Sequence, residues 1–284
     1  AAGPSTGGER VTPGLATLVH GRRAHLANQH ALARRQHDGP YVVVAMDDPE
    51  TAAWARALPA PPRVVEIGRE PLGLPLAAAR NLAARTLQQL GADVLVLLDV
   101  DCLPGPGLVR GYADAVVERP DVVWSGPVTY LPPAPAGGYP LDDLGRLDAP
   151  HAARPAPGPG ETQVGGDPDL FWSLSFALHA DAWHAAGGFD EAYVGYGGED
   201  TDFGHRVVRA GLQHGWVGGA RAYHQHHPTT SPPVQHVADV VRNGRLFRDR
   251  WGRWPMTGWL DAFEERGLVR RTGDDYEVVE PAHA

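Results

Sequence analysis

Apolar residues in the first hundred positions fall into short runs separated by longer periodic stretches. "LATLV" (15–19), "YVVVAM" (41–46), "RVVEI" (63–67) and "DVLVLLDV" (93–100) are dense in Val and Leu, as strands of a buried parallel sheet are. Between them, "RRAHLANQHALARRQ" (22–36) and "LPLAAARNLAARTLQQL" (74–90) repeat apolar residues at helical spacing and run out near Gly39 and Gly91. The alternation predicts an α/β fold: a mostly parallel, Rossmann-like central sheet flanked by helices. Such sheets bind ligands beyond the carboxyl ends of their strands. His20, Asp47, Asp48 and the stretch Asp99 to Asp101 occupy those ends.

The pattern loosens over 130–168, where "LPPAPAGGYP" and "PHAARPAPGPG" predict a long loop, functional or disordered. It returns as a strand-like "FWSLSFAL" (171–178), a short helix from Asp181, the acidic stretch "YGGEDTDFGHR" (196–206) and an amphipathic helix near 234–251. Val237, Val240, Val241, Phe247 and Trp251 form that helix's stripe, with Arg242, Arg245 and Arg248 mostly off it. Core packing explains the stripe, and peripheral membrane contact by its basic, aromatic end is the alternative. The expected organisation is one domain over 10–262, in halves 10–128 and 129–262, with tails at 1–9 and 263–284.

With 284 residues, 43% of them hydrophobic, the chain can bury one large core. Its formal charge of -9 argues against nucleic acid as a partner. Lysine is absent, which removes every mechanism that needs a catalytic lysine. Cys102 is the only cysteine, so an internal disulfide and a cysteine-based zinc site are excluded. The opening "AAGPSTGGERVTPG" shows no signal-peptide pattern and nowhere do 18 apolar residues run together, so a cytoplasmic protein without a transmembrane segment is expected.

"VLVLLDVDCLP" (94–104) ends a buried strand in Asp-Val-Asp. If the chain is still extended there, Asp99 and Asp101 face the same way, and their repulsion calls for a hard divalent cation between them. A pair of loop-capping acids is the ordinary alternative. Haloacid-dehalogenase-like phosphatases also carry Asp-x-Asp after a strand. Leu103, the missing lysine and three preceding strands fit that reading poorly.

Strand, helix, strand, Asp-x-Asp, then "GGFDEAYVGYGGEDTDFGHRVVRAG" (187–211) and "AYHQHHP" (222–228) together resemble a glycosyltransferase of the GT-A fold in the large family 2. The C-terminal half is similar to β-1,4-galactosyltransferases and chondroitin-polymerase-type enzymes. The resemblance runs from about 15 to 250. It implies transfer of a hexose (Gal, GalNAc or Glc type) from a UDP-sugar to an acceptor hydroxyl on a carbohydrate or small molecule. It further implies Mn2+, or Mg2+, between the diphosphate and the Asp-x-Asp. Asp101 is then a direct metal ligand, Asp99 lies near metal or ribose, and His224 completes the metal shell with His226 in reserve. His20 and Asp47 border the base, while Arg80 and Asn81 match the helix that touches uracil and phosphate. Outside the resemblance, Arg80 reads as a surface arginine.

Family 2 enzymes generally invert the anomeric centre, which requires a base for the acceptor hydroxyl. If a helix starts after Gly198, Asp200 shares the inward face of Phe203, Val207 and Ala210. Asp202 then falls on the solvated side with Arg206 and Arg209, and Glu199 sits at the margin where it can bind hydroxyls. The resemblance also puts the base on Asp200, the acid after Glu in "GGED". Gly198, Tyr196 (tryptophan in galactosyltransferases) and Trp172 complete the expected sugar and acceptor contacts, although Trp172 also reads as a core residue. A nucleotide- or carbohydrate-binding protein of the same fold without turnover is the rival from another class.

Overall fold

The computed structural model describes residues 11–279. The expected N-terminal tail, the signal-peptide reading and the chain's last five residues fall outside the described residues.

β1 (Pro13–Val19), β2 (Tyr41–Met46), β3 (Arg63–Ile67) and β4 (Val94–Leu98) lie parallel in the order β3-β2-β1-β4. α1 (Arg23–Gln36), α2 (Pro49–Arg56) and α3 (Leu76–Gln89) connect them. β2 and β4 are buried throughout, and their side chains alternate between two cores. Val43 and Val96 meet Leu26 and Ala33 of α1 on one face, while Val44 and Leu97 meet Ala83 and Leu87 of α3 on the other. α2 escaped the periodicity because it has eight residues. Its start is local chemistry: the Asp48 carboxylate accepts from Thr51 N at 3.0 Å, and Pro49 occupies the first turn.

β5 (Cys102–Pro104) leaves the sheet after the Asp99–Asp101 turn, and α4 (Leu108–Glu118) leads back to it. β6 (Val122–Ser125), β7 (Val128–Tyr130), β8 (Thr162–Val164), β9 (Ser175–His179), α5 (Ala180–Ala186), α6 (Glu199–Arg209), β10 (Gln213–Val217) and β11 (Ala222–His224) follow. β9 inserts antiparallel between β4 and β6, so the eight-stranded order is β3-β2-β1-β4-β9-β6-β10-β8. A second, three-stranded sheet has the order β5-β11-β7. Its register sets His224 opposite Cys102, one residue beyond Asp101.

Three expectations need correction. The strand predicted over 171–178 opens only at Ser175, because a turn at Pro168–Leu170 swings the chain inward first. Phe171 then enters the core against Phe176 and Phe203, at 5.0 and 5.2 Å. The loop over 130–168 is not featureless: it includes β8 and a turn at Leu144–Leu147 that buries Leu144. The expected C-terminal tail is folded as far as the described residues reach, to residue 279. After α7 (Val237–Trp251) and α8 (Thr257–Glu265), β12 (Val269–Thr272) and β13 (Asp275–Val278) form a hairpin. Val269 and Tyr276 anchor it in a cluster with Val237, Val240, Val241, Leu260 and Phe263. Two apolar anchors among charged residues leave little alternation to read. The α7 stripe is thus turned to protein, with Trp251 half-buried. Among the described residues no helix is long and apolar enough to cross a membrane.

Phe203 of α6 is fully buried and stacks on Phe189 at 4.3 Å. Phe203→Ala is expected to cost about 3–5 kcal/mol in urea unfolding; a loss below about 1 kcal/mol would show that α6 does not depend on this aromatic cluster.

Candidate active site

The carboxyl ends of β1 and β4 open on a cleft of about 1270 Å³. That exceeds the roughly 300–1,000 Å³ of an ordinary small-ligand pocket. Both acidic stretches of the sequence reach it: Asp99 and Asp101 from the β4 end, Glu199 and Asp200 from the start of α6.

Arg80 of α3 joins the two. Its guanidinium, 5% exposed, lies 3.5 Å from Asp99 Oδ1 and 3.1 Å from Glu199 Oε1. Burial works against this charge, but Asp99, Glu199 and Asp200 outweigh it and hold Arg80 above its ordinary value. Arg80 is therefore no surface arginine, and in this structure its donors are turned to protein carboxylates. Burial also pushes Asp99 up to about 6 against the pull of Arg80, with the Asp101 and Glu199 charges adding to the rise.

Asp101 faces a different set of partners. Its carboxylate is 3.5 Å from His224 Nε2, 3.4 Å from His227 Nε2 and 2.6 Å from Arg22 Nη1. One ligand atom from each of Asp101, His224 and His227 lies within 4.8 Å of the others. Burial lowers His224, favouring the neutral imidazole that ligates metals, while Asp101 opposes the shift. Burial alone would raise Asp101, but His227, His224 and Arg22 hold it below the usual carboxylate range. Asp101 Oδ1 is buried without a hydrogen-bond partner, so this donor set fits a divalent cation.

Two expectations change here. Asp99 does not share the cluster, because β4 ends at Leu98 and a turn follows, closed by Cys102 N donating to Asp99 O at 2.8 Å. Alternation therefore no longer applies, and Asp99 turns to Arg80. His227, not His226, stands beside His224: His226 is exposed, and its backbone N–H donates to Tyr139 Oη at 2.9 Å. The sequence had grouped the three histidines, but the bend after β11 decides which two converge.

The acidic stretch begins with a turn that favours glycine, φ being 89° at Gly197 and 91° at Gly198. A Cβ on Gly197 would meet Met256 Sδ at 2.9 Å. Asn243 of α7 holds this turn by donating to Gly197 O at 2.8 Å and Val194 O at 3.1 Å. Asp200 follows, half-buried and lining the cleft. Burial, then the Glu199 charge, push it up to about 7 against the pull of Arg80.

The helical phase fails for three neighbours. Asp202 is not solvated but 1% exposed, and its Oδ1 accepts from Trp251 Nε1 at 2.9 Å and Tyr193 Oη at 3.2 Å. α7 covers that face, which a wheel of α6 alone cannot show. Arg206 instead donates to Ala186 and Gly187 carbonyls, and Arg209 lies over Trp251. Ala210, expected inward, is exposed at the helix end, and Glu199 is buried against Arg80 rather than marginal.

Among the other expected contacts, His20, Trp172, Tyr196 and Gly198 line the cleft. His20 Nδ1 lies 2.7 Å from Met46 O, and Trp172 carries Arg154 over its ring at 5.2 Å. Asp47 and Asn81 are not brought there. Asp47 pairs with Arg69 at 3.1 Å beside a separate pocket of about 260 Å³. The Asn81 amide donates to Phe189 O at 2.9 Å and accepts from Phe189 N at 2.9 Å. Its polar atoms are spent on holding that loop. Sequence reasoning also missed Arg22 and the wall formed by Met256 and Trp259, and it gave His227 no role of its own.

A family model described as the N-terminal domain of galactosyltransferase matches residues 168–228. Hyaluronan synthase of Pasteurella multocida is 28% identical over 179 residues, 55% of this chain and 18% of that protein. Validoxylamine A glucosyltransferase of Streptomyces hygroscopicus subsp. limoneus is 30% identical over 235 residues, 74% of this chain and 51% of that protein. The chain thus spans about half, or much less, of the length of these relatives. A crystal structure of GalNAc-T7 with UDP, GalNAc and Mn2+ superposes with a TM-score of 0.58 at 12% identity, covering 92% of this chain and 58% of that one. S. aureus TarS 1–349 superposes with a TM-score of 0.51 at 14% identity, covering 82% and 63%. The chain has the GT-A fold and resembles glycosyltransferases of the galactosyltransferase and chondroitin-polymerase types.

Removing Arg80 would leave the buried Glu199 carboxylate and the partly buried Asp99 carboxylate without the cation they share. Arg80→Met is expected to destabilise the fold by about 3–5 kcal/mol near pH 8. The loss shrinks towards pH 5, as Asp99, already pushed up to about 6, escapes by binding a proton. Denaturant unfolding at the two pH values checks this, and a pH-independent loss would point to packing alone.

Proposed function

We propose that the protein is a metal-dependent, inverting glycosyltransferase that moves a hexose from a UDP-sugar to an acceptor hydroxyl. The observation that carries the reading is the separation of two acidic centres along one cleft: Asp101 with two imidazoles, and Asp200 with no ion pair among the described residues. One suits a charged leaving group, the other a proton.

The acceptor oxygen attacks the anomeric carbon as the bond from that carbon to the diphosphate oxygen breaks. The hydroxyl proton passes to the Asp200 carboxylate and the electron pair leaves with UDP. A base must be ionised yet basic near working pH, and a carboxylate pushed up to about 7 meets both conditions. Arg80 and Glu199, paired at 3.1 Å, are the charged neighbours that act on it. The residues that would hold the cation are Asp101, His224 and His227, and two nitrogen ligands favour Mn2+ over Mg2+. When bound, the cation neutralises charge developing on the diphosphate. The GalNAc-T7 structure contains UDP and Mn2+, which supports the same ligands here.

Asp200→Asn is expected to lower transfer by at least about a thousandfold while UDP binding persists; turnover near wild type would sink the base assignment. Because the base works only when ionised, wild-type kcat should rise with pH and level off above about 7. A rate that climbs as pH falls below 7 would contradict it. At the metal, His227→Ala should weaken Mn2+-dependent UDP binding in calorimetry by at least about tenfold. His226→Ala should leave it within about twofold, since that ring lies outside the cluster.

A further inference from the structure

Beyond Asp200 the cleft is walled by Tyr196, expected from the sequence to touch sugar or acceptor, and by Met256 and Trp259, to which no role has yet been given. Tyr196 stacks on His236, centroids 4.4 Å apart and planes 14° from parallel, and on Trp259 at 5.8 Å and 28°. Met256, itself at φ 53°, places its sulfur over Gly197. Trp254 is clamped behind them, donating Nε1–H to Asp274 O at 2.7 Å and meeting the Tyr276 edge at 5.0 Å. Tyr196, Met256 and Trp259 are each partly exposed, and their open surfaces line the cleft. The C-terminal hairpin thus braces an aromatic wall four residues from the proposed base.

The charges around this wall are matched among themselves. Arg253 and His205 share Asp169, with His205 at 2.7 Å, and Asp239 is met by Arg242 at 2.9 Å and His236 at 3.5 Å. Glu199 is held by Arg80 at 3.1 Å. Asp200 has no ion pair among the described residues; its partners are the Thr201 N–H and hydroxyl. An anionic acceptor would approach an unmatched carboxylate, which Coulomb repulsion disfavours in a desolvated site. A cationic acceptor would pair with Asp200 and occupy the base.

We propose that Tyr196, Met256 and Trp259 form the acceptor subsite and that it selects an uncharged, hydroxyl-bearing ring whose apolar face stacks on the wall. The proposal rests on the glycosyltransferase reading and deepens it. Aromatic faces supply apolar area with little conformational freedom to lose, so the stack orients one hydroxyl towards Asp200.

The test uses the full chain with Mn2+ and a UDP-sugar that the wild type hydrolyses, offered methyl β-glucoside, methyl β-glucuronide and methyl β-glucosaminide in parallel. The neutral glycoside should be favoured over each charged one by at least about tenfold in kcat/KM. Trp259→Ala should raise its KM about tenfold with kcat changed less than about threefold, and Trp259→Phe should restore most of the loss. Circular dichroism of both variants reports folding. Equal or better use of a charged glycoside, no saturation by the neutral one, or an unchanged KM in Trp259→Ala would overturn the subsite. Failure of the wild type to turn over any UDP-sugar would instead count against the glycosyltransferase reading.

Discussion

The buried guanidinium of Arg80, held between Asp99 and Glu199, is the interaction on which the site depends. It ties together acids that lie a hundred positions apart in the chain and would otherwise repel each other in a low-dielectric cleft. α3 delivers it because Ala77, Ala79, Ala83 and Ala84 are small and fully buried, bringing the helix close to the sheet. An arginine on such a face cannot reach solvent easily, so its charge must be met locally. The acids that meet it flank the two chemical centres: Asp99 precedes Asp101 by two residues, and Glu199 precedes Asp200 by one.

This arrangement separates two electrostatic environments within one cleft. Asp101 lies among histidines and an arginine and is held below the usual carboxylate range despite burial. Asp200, enclosed beside another acid and partly relieved by Arg80, is pushed up to about 7. Opposite displacements of like groups suit different tasks. The separation is topological in origin: the small sheet brings β11 alongside β5, while α6 starts from a glycine turn held by α7.

The strands and the alternating order of the first half were legible because a sheet covered on both faces leaves continuous Val and Leu runs, as in "YVVVAM". Asp101, His224 and Asp200 were singled out by motif, resemblance and helical phase. What could not be read depends on the bend of a turn or on a neighbour from elsewhere in the chain. Alternation placed Asp99 beside Asp101 only for as long as the strand continued, and it stops at Leu98. Helical phase assigned Asp202 to solvent, since nothing within α6 announces that Trp251 and Tyr193 will cover it. His226 and His227 were indistinguishable by type. Asn81 and Asp47 have suitable chemistry, but their atoms are engaged elsewhere.

The folded C-terminal segment changes how far the site extends. Taken as a tail, residues beyond 262 have no bearing on the cleft; as a hairpin, they fix Trp254 through Asp274 and Tyr276. Trp254 in turn fits over Gly244 of α7, where a Cβ would lie 2.9 Å from the indole. One residue earlier on the same helix, Asn243 holds the Gly197–Gly198 turn. α7 is therefore a shared backbone for two structures that must agree in position, the turn that aims the proposed base and the wall that would aim the acceptor. Because both are fixed to one rigid helix rather than to separate loops, their spacing is set by helix geometry. A change at the hairpin has a route to the chemistry through α7 and the wall it supports.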